Sequence, residues 1–441
     1  MDNRRKYALV GAGSRATMFL DAIARDYRQS SALVGLCDVS LHRIAWHNAR
    51  LAAEFGQAPV PAYPVGEFDR MIREQRPDAV IVASVDSTHH HYVIRAMELG
   101  CDVICEKPMT IDADKARAIF DAIARTGRRL RVTFNYRYAP LASRVRALIA
   151  GGAVGAPLAV DLQWVLDTSH GADYFRRWHA EKDKSGGLLV HKSTHHFDMI
   201  NWWIGSYPKT VYAMGDLKFY GRQNAEGRGQ SHPYDTSRQA PRTDPFRLRW
   251  EDHPDQEQLF TGAAERESGY VRDRNVFGDH VTIEDTMAVT ARYRSGVILS
   301  YSLLAYSPWE GFRASITGTK GRIEVYSRHR GHIFSPAEGA DEAAADGPAA
   351  DDATSEINQV RLFPMFGIPH DVEIPRAEGG HGGGDPVMLA QIFSDRPPPD
   401  PLGRAASHVD GAASILLGIA ANQSIATAQP VDVDSLLELP A

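Results

Sequence analysis

A short apolar run, Tyr7–Val10, ends in Gly11-Ala12-Gly13-Ser14-Arg15-Ala16 and leads into a helix-like stretch from Thr17 to about Tyr27. No other segment narrows the possible folds as much. In a strand–turn–helix of this kind Gly11 permits the tight turn, Gly13 lets the backbone approach a pyrophosphate, and small Ala16 allows close helix-to-strand packing. The helix start, with Ser14 and Arg15, supplies N–H groups for an anion. A second apolar run, Ala32–Cys37, ends at Asp38, where a carboxylate can accept a ribose 2′-hydroxyl. Asp38 would repel a 2′-phosphate, which favours NAD over NADP, while Arg43 keeps NADP open. The bland alternative is a plain turn with Asp38 capping the next helix.

Strands and helices go on alternating. Leu41–Phe55 is helical in pattern, Asp78–Ala83 reads as a buried strand and His91–Gly100 as a helix; Asp102–Cys105, Ile111–Thr126 and Arg129–Phe134 follow as strand, helix and strand. That order implies βαβ units and a doubly wound parallel sheet of the Rossmann type. With 441 residues, two domains are expected. A net charge of −6 gives no basic footprint for nucleic acid, and no apolar run approaches a membrane span. Three sparse cysteines and no targeting segment at the start point to the cytoplasm.

Glu106-Lys107-Pro108 directly follows the strand Asp102–Cys105, so Lys107 faces the crevice at the carboxyl edge of the sheet. A lysine there can stabilise a developing alkoxide; alone, the same residues would also suit a surface ion pair. Together with the Gly11 turn, Asp38 and the loop Ala83–His89, this order resembles the Gfo/Idh/MocA family of nicotinamide-dependent sugar oxidoreductases. The resemblance implies cofactor contacts from Gly11, Gly13, Ser14, Arg15, Asp38, Arg43, Ser84, His89, Glu106, Lys107 and Asn135. It also places Asn135-Tyr136-Arg137 near nicotinamide and substrate; the alternative is a hydrogen-bond cluster at the domain junction.

Further on, Gly186-Gly187 precedes a helix expected over Leu189–Ile204. His191, His195 and Asp198 then share one face. Position 195 matches the family's catalytic histidine, which takes the hydroxyl proton. His191 stands where the family usually has aspartate, and Lys192 where many relatives are apolar. Zinc on His191, His195 and Asp198 is a competing reading, weakened because Lys192 stands where a zinc protease has glutamate; no metal is expected. Asp198 also has a structural alternative.

From about Gly155 the strands Leu158–Leu166, Thr210–Gly215, Thr282–Tyr293, Gly296–Leu304, Gly311–Thr317 and Gly321–Val325 suggest an α+β domain with an open, mainly antiparallel sheet. The resemblance implies a homodimer or homotetramer through that sheet. An insertion, Phe219–Phe277, shows no clear periodicity; with Arg222, Arg228, Arg238, Arg242, Arg247 and Arg249 it reads either as a solvated excursion or as a lid over an anionic sugar. Glu338–Glu356 reads as an acidic loop. Gly379–Gly384 surrounds His381, and Asp385-Pro386 reads as a capped helix start. A similar Gly-His-Gly-Gly stretch occurs in family members that cleave glycosides with bound NAD. The expected domains are 1–137 for NAD, 138–385 for substrate, and 386–441 as a helical segment over the junction.

The expected function is NAD-dependent oxidation of a secondary hydroxyl on a small carbohydrate. Lys107, His195 and His191 are the catalytic candidates; Lys192, Tyr136, Arg137, Tyr306, Glu310 and His381 are the substrate contacts. Two alternatives stand beside it: an NAD-dependent glycosidase acting by oxidation, elimination, water addition and reduction, and a non-catalytic NAD-binding sensor.

Overall fold

The computed structural model describes residues 3–331, 356–376 and 380–440. Gly379 and nearly all of Glu338–Glu356 lie outside the described residues. The strands of the first third are β1 (Arg5–Val10), β2 (Ser31–Asp38), β3 (Ala62–Pro64), β4 (Ala79–Val82), β5 (Asp102–Cys105) and β6 (Leu130–Val132). Then come β7 (Pro157–Asp167), β8 (Pro208–Asp216), β9 (Thr286–Tyr293), β10 (Ile298–Ser307), β11 (Glu310–Gly318), β12 (Gly321–Arg330), β13 (Ile357–Pro364) and β14 (His370–Asp371). Two short strands close the chain, β15 (Ala406–Ser407) and β16 (Val431–Asp432).

The first sheet runs β15-β6-β5-β4-β1-β2-β3. It is parallel except for β15, which adds to β6 in the antiparallel sense. Strand order reverses between β1 and β4, and this switch opens the ligand crevice at their carboxyl ends. Every residue of β4 is buried, as expected of a strand covered on both faces. The helix Leu41–Phe55 starts at Ser40, whose hydroxyl accepts the Arg43 N–H, and stops at left-handed Gly56. Gly11 holds φ +95, and a Cβ there would lie 2.5 Å from the Ala83 carbonyl and the Ser84 nitrogen. Gly11→Ala is therefore expected to destabilise the protein by about 1–3 kcal/mol from backbone strain alone, read as a lower urea midpoint.

The second sheet runs β14-β13-β12-β11-β7-β10-β9-β8-β16. It is mixed but mainly antiparallel, with β7 and β10 parallel to each other. Alternate residues of β9, Met287, Val289, Ala291 and Tyr293, point into the core. The helices Ser193–Ile204 and His408–Thr427 pack together, the latter also against β8. The segment after 386 thus supplies a strand to each sheet. Leu158, Tyr212, Met214 and Ile298 are exposed on the second sheet. Among the described residues, no helix is long and apolar enough to cross a membrane.

Two expectations about local structure are corrected. The stretch Leu189–Ile204 is not one helix: it divides at Lys192 into Leu188–His191 and Ser193–Ile204. Phe219–Phe277 is not without structure, since it carries the helices Arg222–Gly227, Pro254–Phe260 and Ala263–Ser268.

Candidate active site

A cavity of about 560 Å³ lies at the carboxyl edge of the parallel sheet. Gly11, Gly13, Ser14, Arg15, Asp38 and Arg43 line one part; Ser84, Asp86, His89, Glu106, Lys107, His179, His191 and His381 line another. A broader depression of about 890 Å³ on the second sheet is lined by strand residues such as Arg313, Arg322 and Glu324. Among its charged side chains Arg322 pairs with Glu324 and Arg361 with Asp371.

The glycine turn is held from the side. Asp38 accepts the Ala12 N–H at 2.6 Å and the Ser40 N–H at 2.8 Å. Arg43 lies 3.4 Å from Asp38, and it donates through Nε to the Leu259 carbonyl and through a terminal nitrogen to Ser268. Arg15 reaches Glu106 at 2.8 Å, and the other Glu106 oxygen accepts the Lys107 N–H. Between them, the ring of His89 faces the carbonyls of Pro108 and Ser84, tying the loop after β5 to the loop after β4. A Cβ built on Gly13 would be in van der Waals contact with the Phe260 ring, at 3.9 Å. These residues fit a dinucleotide: a bare turn for the pyrophosphate and a carboxylate at the strand end for a ribose.

The reacting end is built from both domains. Lys107 Nζ donates to the His191 carbonyl at 3.5 Å. Burial lowers the Lys107 ammonium to about 8, although the Asp86 and Glu106 carboxylates pull the other way. His191 Nδ1 lies 2.5 Å from Asp86 Oδ2. Burial, reinforced by Lys107, Arg177 and Lys192, holds His191 well below the ordinary imidazole range, and burial also pushes the Asp86 carboxyl well up against the pull of Lys107 and Arg177, so the pair shares one proton. The carboxylate absent at position 191 thus arrives from the Rossmann domain. Asp86 lies inside a loop legible in the sequence, but only its spatial meeting with His191 gives it a role.

His195 is buried against Tyr136 and His381, with ring centroids 4.9 and 5.8 Å away. Among the described residues its Nδ1 is buried without a hydrogen-bond partner. Burial, then Lys107, His381 and Lys192, keep its pKa well below the usual value, which makes it a neutral base at pH 7. His381 sits at φ +53 and pairs with Asp385 at 3.0 Å. Lys192 is buried with its ammonium 5.4 Å from the Trp164 ring centroid. Burial alone would raise the Glu310 carboxyl; the hydrogen bonds from His170, with His329 4.0 Å away and the charge of Lys192, outweigh it and hold the carboxyl below its ordinary range.

Several expected contacts do not line the cavity, among them Lys192, Glu310, Tyr136 and His195, the last two packing against His381 of its wall. Arg137 is bound at both ends of the Asp198 carboxylate, at 2.6 and 2.7 Å, and to Asp410 at 3.0 Å. It joins the domains rather than facing substrate, and Asp198 is its structural partner. Asn135 donates to Asp385 at 2.6 Å and does not line the cavity. Asp385 accordingly turns its carboxylate to Asn135 and His381. Tyr306 stacks on Phe219 and hydrogen-bonds Thr286, outside the cavity. His191 and Asp198 have partners of their own, so the zinc arrangement does not assemble; among the described residues no cluster of three or more ligands could hold a metal. None of the six insertion arginines singled out in the sequence lines the cavity: Arg222 pairs with Asp279, Arg238 with Glu265 and Asp273, and Arg247 with Glu251. Another arginine of the insertion, Arg274, does line it, paired with Glu181 at 3.0 Å, together with Phe260, Ser268, Gly269 and Tyr270.

Residues 5–134 match the model of an oxidoreductase family described as an NAD-binding Rossmann fold, and residues 146–433 match that family's C-terminal alpha/beta domain. YteT of Bacillus subtilis (strain 168), ascribed an oxidoreductase role, is 34% identical over 99% of both chains. An inositol 2-dehydrogenase of Rhizobium meliloti (strain 1021) is 31% identical over 47% of this chain and 57% of its own length. The D-glucoside 3-dehydrogenase of Escherichia coli (strain K12) is 30% identical over 34% of this chain and 40% of its own. Among solved structures, an aldose-aldose oxidoreductase from Caulobacter crescentus shares the fold, with a TM-score of 0.61 at 18% identity over 97% of this chain and 99% of that one. With both of its domains matched, the chain is an oxidoreductase-type protein with an NAD(P)-binding Rossmann domain and belongs to the Gfo/Idh/MocA family.

Proposed function

We propose that the protein oxidises a secondary hydroxyl of a sugar or sugar derivative, with nicotinamide as hydride acceptor and Lys107 and His195 at the reacting carbon. The observation that carries this reading is Lys107 in the wall of the dinucleotide crevice, with His195 buried behind His381 of the same wall, the two rings 5.8 Å apart between centroids. Nicotinamide, when bound, supplies a carbon that accepts the hydride from the alcohol C–H. His195 takes the hydroxyl proton. Lys107 donates to the same oxygen and lowers the cost of the alkoxide. Asp86 fixes the tautomer of His191, and His191 in turn offers Lys107 its backbone carbonyl. The named substrates of the inositol and glucoside dehydrogenases, ring polyols and glucosides, suit this chemistry. A homodimer or homotetramer through the second sheet fits its exposed apolar residues.

The test is single-turnover reduction of nicotinamide, followed at 340 nm, across a panel of sugars and polyols. A substrate deuterated at the reacting carbon should slow the step. No absorbance change with any sugar on the nicotinamide-loaded protein would remove the reading.

The identity of the dinucleotide follows from Asp38 and Arg43. Arg43 is already engaged by Asp38, Leu259 and Ser268, so it offers a 2′-phosphate little, and Asp38 repels it. The protein freed of nicotinamide is expected to bind NAD about 10²-fold more tightly than NADP in a fluorescence titration.

A second reading has one observation of its own. His381, paired with Asp385 and lining the same cavity, is a further group able to carry a proton. A glycosidase that oxidises, eliminates, hydrates and reduces needs such a group. Release of nitrophenol from nitrophenyl glycosides without added cofactor would favour it.

A further inference from the structure

One stretch of the cavity wall, formed by Arg177, His179, Glu181, Lys184 and Arg274, carries more positive charge than its own carboxylates balance. We propose that it is a subsite for a negatively charged group on the carbohydrate, so that the substrate is a sugar acid or a sugar phosphate; this rests on the sugar reading above. Two carboxylates serve five cations here. Asp173 lies 2.8 Å from Arg272 and 3.1 Å from Arg177. Arg176 adds a third guanidinium, which donates to the Phe246 carbonyl. Burial would raise the Asp173 carboxyl, yet Arg272, Arg177 and Arg176 overcome it and hold the group well below its ordinary range. Glu181 is shared in the same way, by Lys184 at 2.7 Å and Arg274 at 3.0 Å. Asp86 and Asp244 also lie in the field of these arginines, but they are engaged by His191 and by His232 and Tyr234. The chain as a whole has a net charge of −6, so the positive excess is local to this wall.

Hydrogen bonding is incomplete at the same place. Among the described residues, Arg176 Nε, Arg177 Nε and His179 Nδ1 are buried without a hydrogen-bond partner. His179 is only 2% exposed and still forms part of the cavity wall. Its ring stacks on Trp178 at 3.7 Å and lies 4.1 Å from the ring of His191. The carbonyl of His191 in turn receives Lys107. The subsite therefore adjoins the reacting end, apart from the glycine turn that suits the pyrophosphate. Buried polar groups without partners are few in native proteins. A neutral hydroxyl would complete the hydrogen bonds and leave the charge. A carboxylate or phosphate, with several acceptor oxygens, completes both.

The experiment uses the full-length protein with NAD bound. D-Glucuronate, D-galacturonate and D-glucose 6-phosphate are titrated calorimetrically, beside D-glucose and D-galactose. At least one anionic probe is expected to bind about 10²-fold more tightly than its neutral parent, as charge-assisted hydrogen bonds allow. That preference should shrink as salt is raised. Arg177→Gln should reduce it about 10–10²-fold, and Lys184→Gln should act in the same direction by less. Asp173 keeps Arg272 in the first variant and Glu181 keeps Arg274 in the second, so neither carboxylate is stranded. Circular dichroism and melting show that each variant is folded. Equal binding of anionic and neutral probes, or no binding of any anionic probe, would overturn the subsite. So would a preference that survives in a folded Arg177→Gln; a loss of NAD affinity in that variant would then assign the arginine to the cofactor phosphates. The oxidation reading fails separately. An anionic preference that depends on Arg177, with no absorbance change at 340 nm, removes the oxidation and keeps the subsite. Oxidation of neutral sugars without any anionic preference does the reverse.

Discussion

Lys107→Met is expected to lower kcat by about 10²–10³-fold, the usual loss when one preorganised donor to a developing oxyanion is removed. The long apolar side chain keeps the volume and removes the charge. The reason to expect so large an effect is the setting: a partly buried ammonium with Asp86 and Glu106 nearby and an open cavity in front. The effect belongs in kcat, because the alkoxide charge exists only as the reaction proceeds. The pH profile gives an independent check. Lys107 acts as its protonated form, and burial has brought its pKa to about 8. Activity should therefore be full below that value and fall as pH rises through about 8. His195 acts as its neutral form, and its pKa is held well below the imidazole range. The acid limb should consequently lie well below pH 6.5. Lys107→Arg keeps a cation that does not titrate in this range, so the alkaline limb should disappear. His195→Asn should cost about 10²–10⁴-fold by removal of the base. An alkaline limb unchanged in Lys107→Arg would assign that limb to another group.

Arg137→Ala is expected to destabilise the protein by about 3–5 kcal/mol, the cost of leaving one side of a buried ion pair uncompensated. Arg137 and Asp198 side chains are each only 2% exposed. Removing the guanidinium strands Asp198 on the helix Ser193–Ile204 and unpairs Asp410 in the first turn of the helix His408–Thr427. Both helices help form the junction beside His195. The measurement is the urea midpoint and slope of wild type against variant. Arg137→Leu combined with Asp198→Leu should recover part of the loss, since no buried charge is then left unpaired at Asp198. At a temperature where Arg137→Ala is folded, KM should stay near the wild-type value. A large rise in KM without loss of stability would restore Arg137 as a substrate contact.

Arg137, Asn135 and Tyr306 show where sequence reasoning stops. Asn135 and Arg137 follow a Rossmann strand, so chain position alone puts them near the nicotinamide. Their side chains instead turn to Asp385 and to Asp198 and Asp410, partners that are 250, 61 and 273 residues away. Tyr306 lies on a strand whose alternation is legible, but the partner of its ring, Phe219, comes from the start of the insertion. The helix over His191 and His195 was readable in extent, and its break at Lys192 was not. Apolar periodicity is nearly blind to one residue leaving regular helix geometry.

By itself the sequence determined the parallel sheet, the glycine turn, Asp38 at the end of its strand and Lys107 at the carboxyl edge. Each rests on a pattern contained within one strand, one turn and one helix, where backbone geometry dictates which residue types are tolerated. It also determined the antiparallel character of much of the second sheet, through alternation, though not the late strands β13, β14 and β16. Tertiary structure alone decided that Asp86 meets His191 across 105 residues, and that Arg43 is held by the Leu259 carbonyl of the insertion, 216 residues further on. Hydrogen bonds and ion pairs of this kind join groups whose local sequences carry no sign of one another. Only the packing of the two domains brings them within bonding distance.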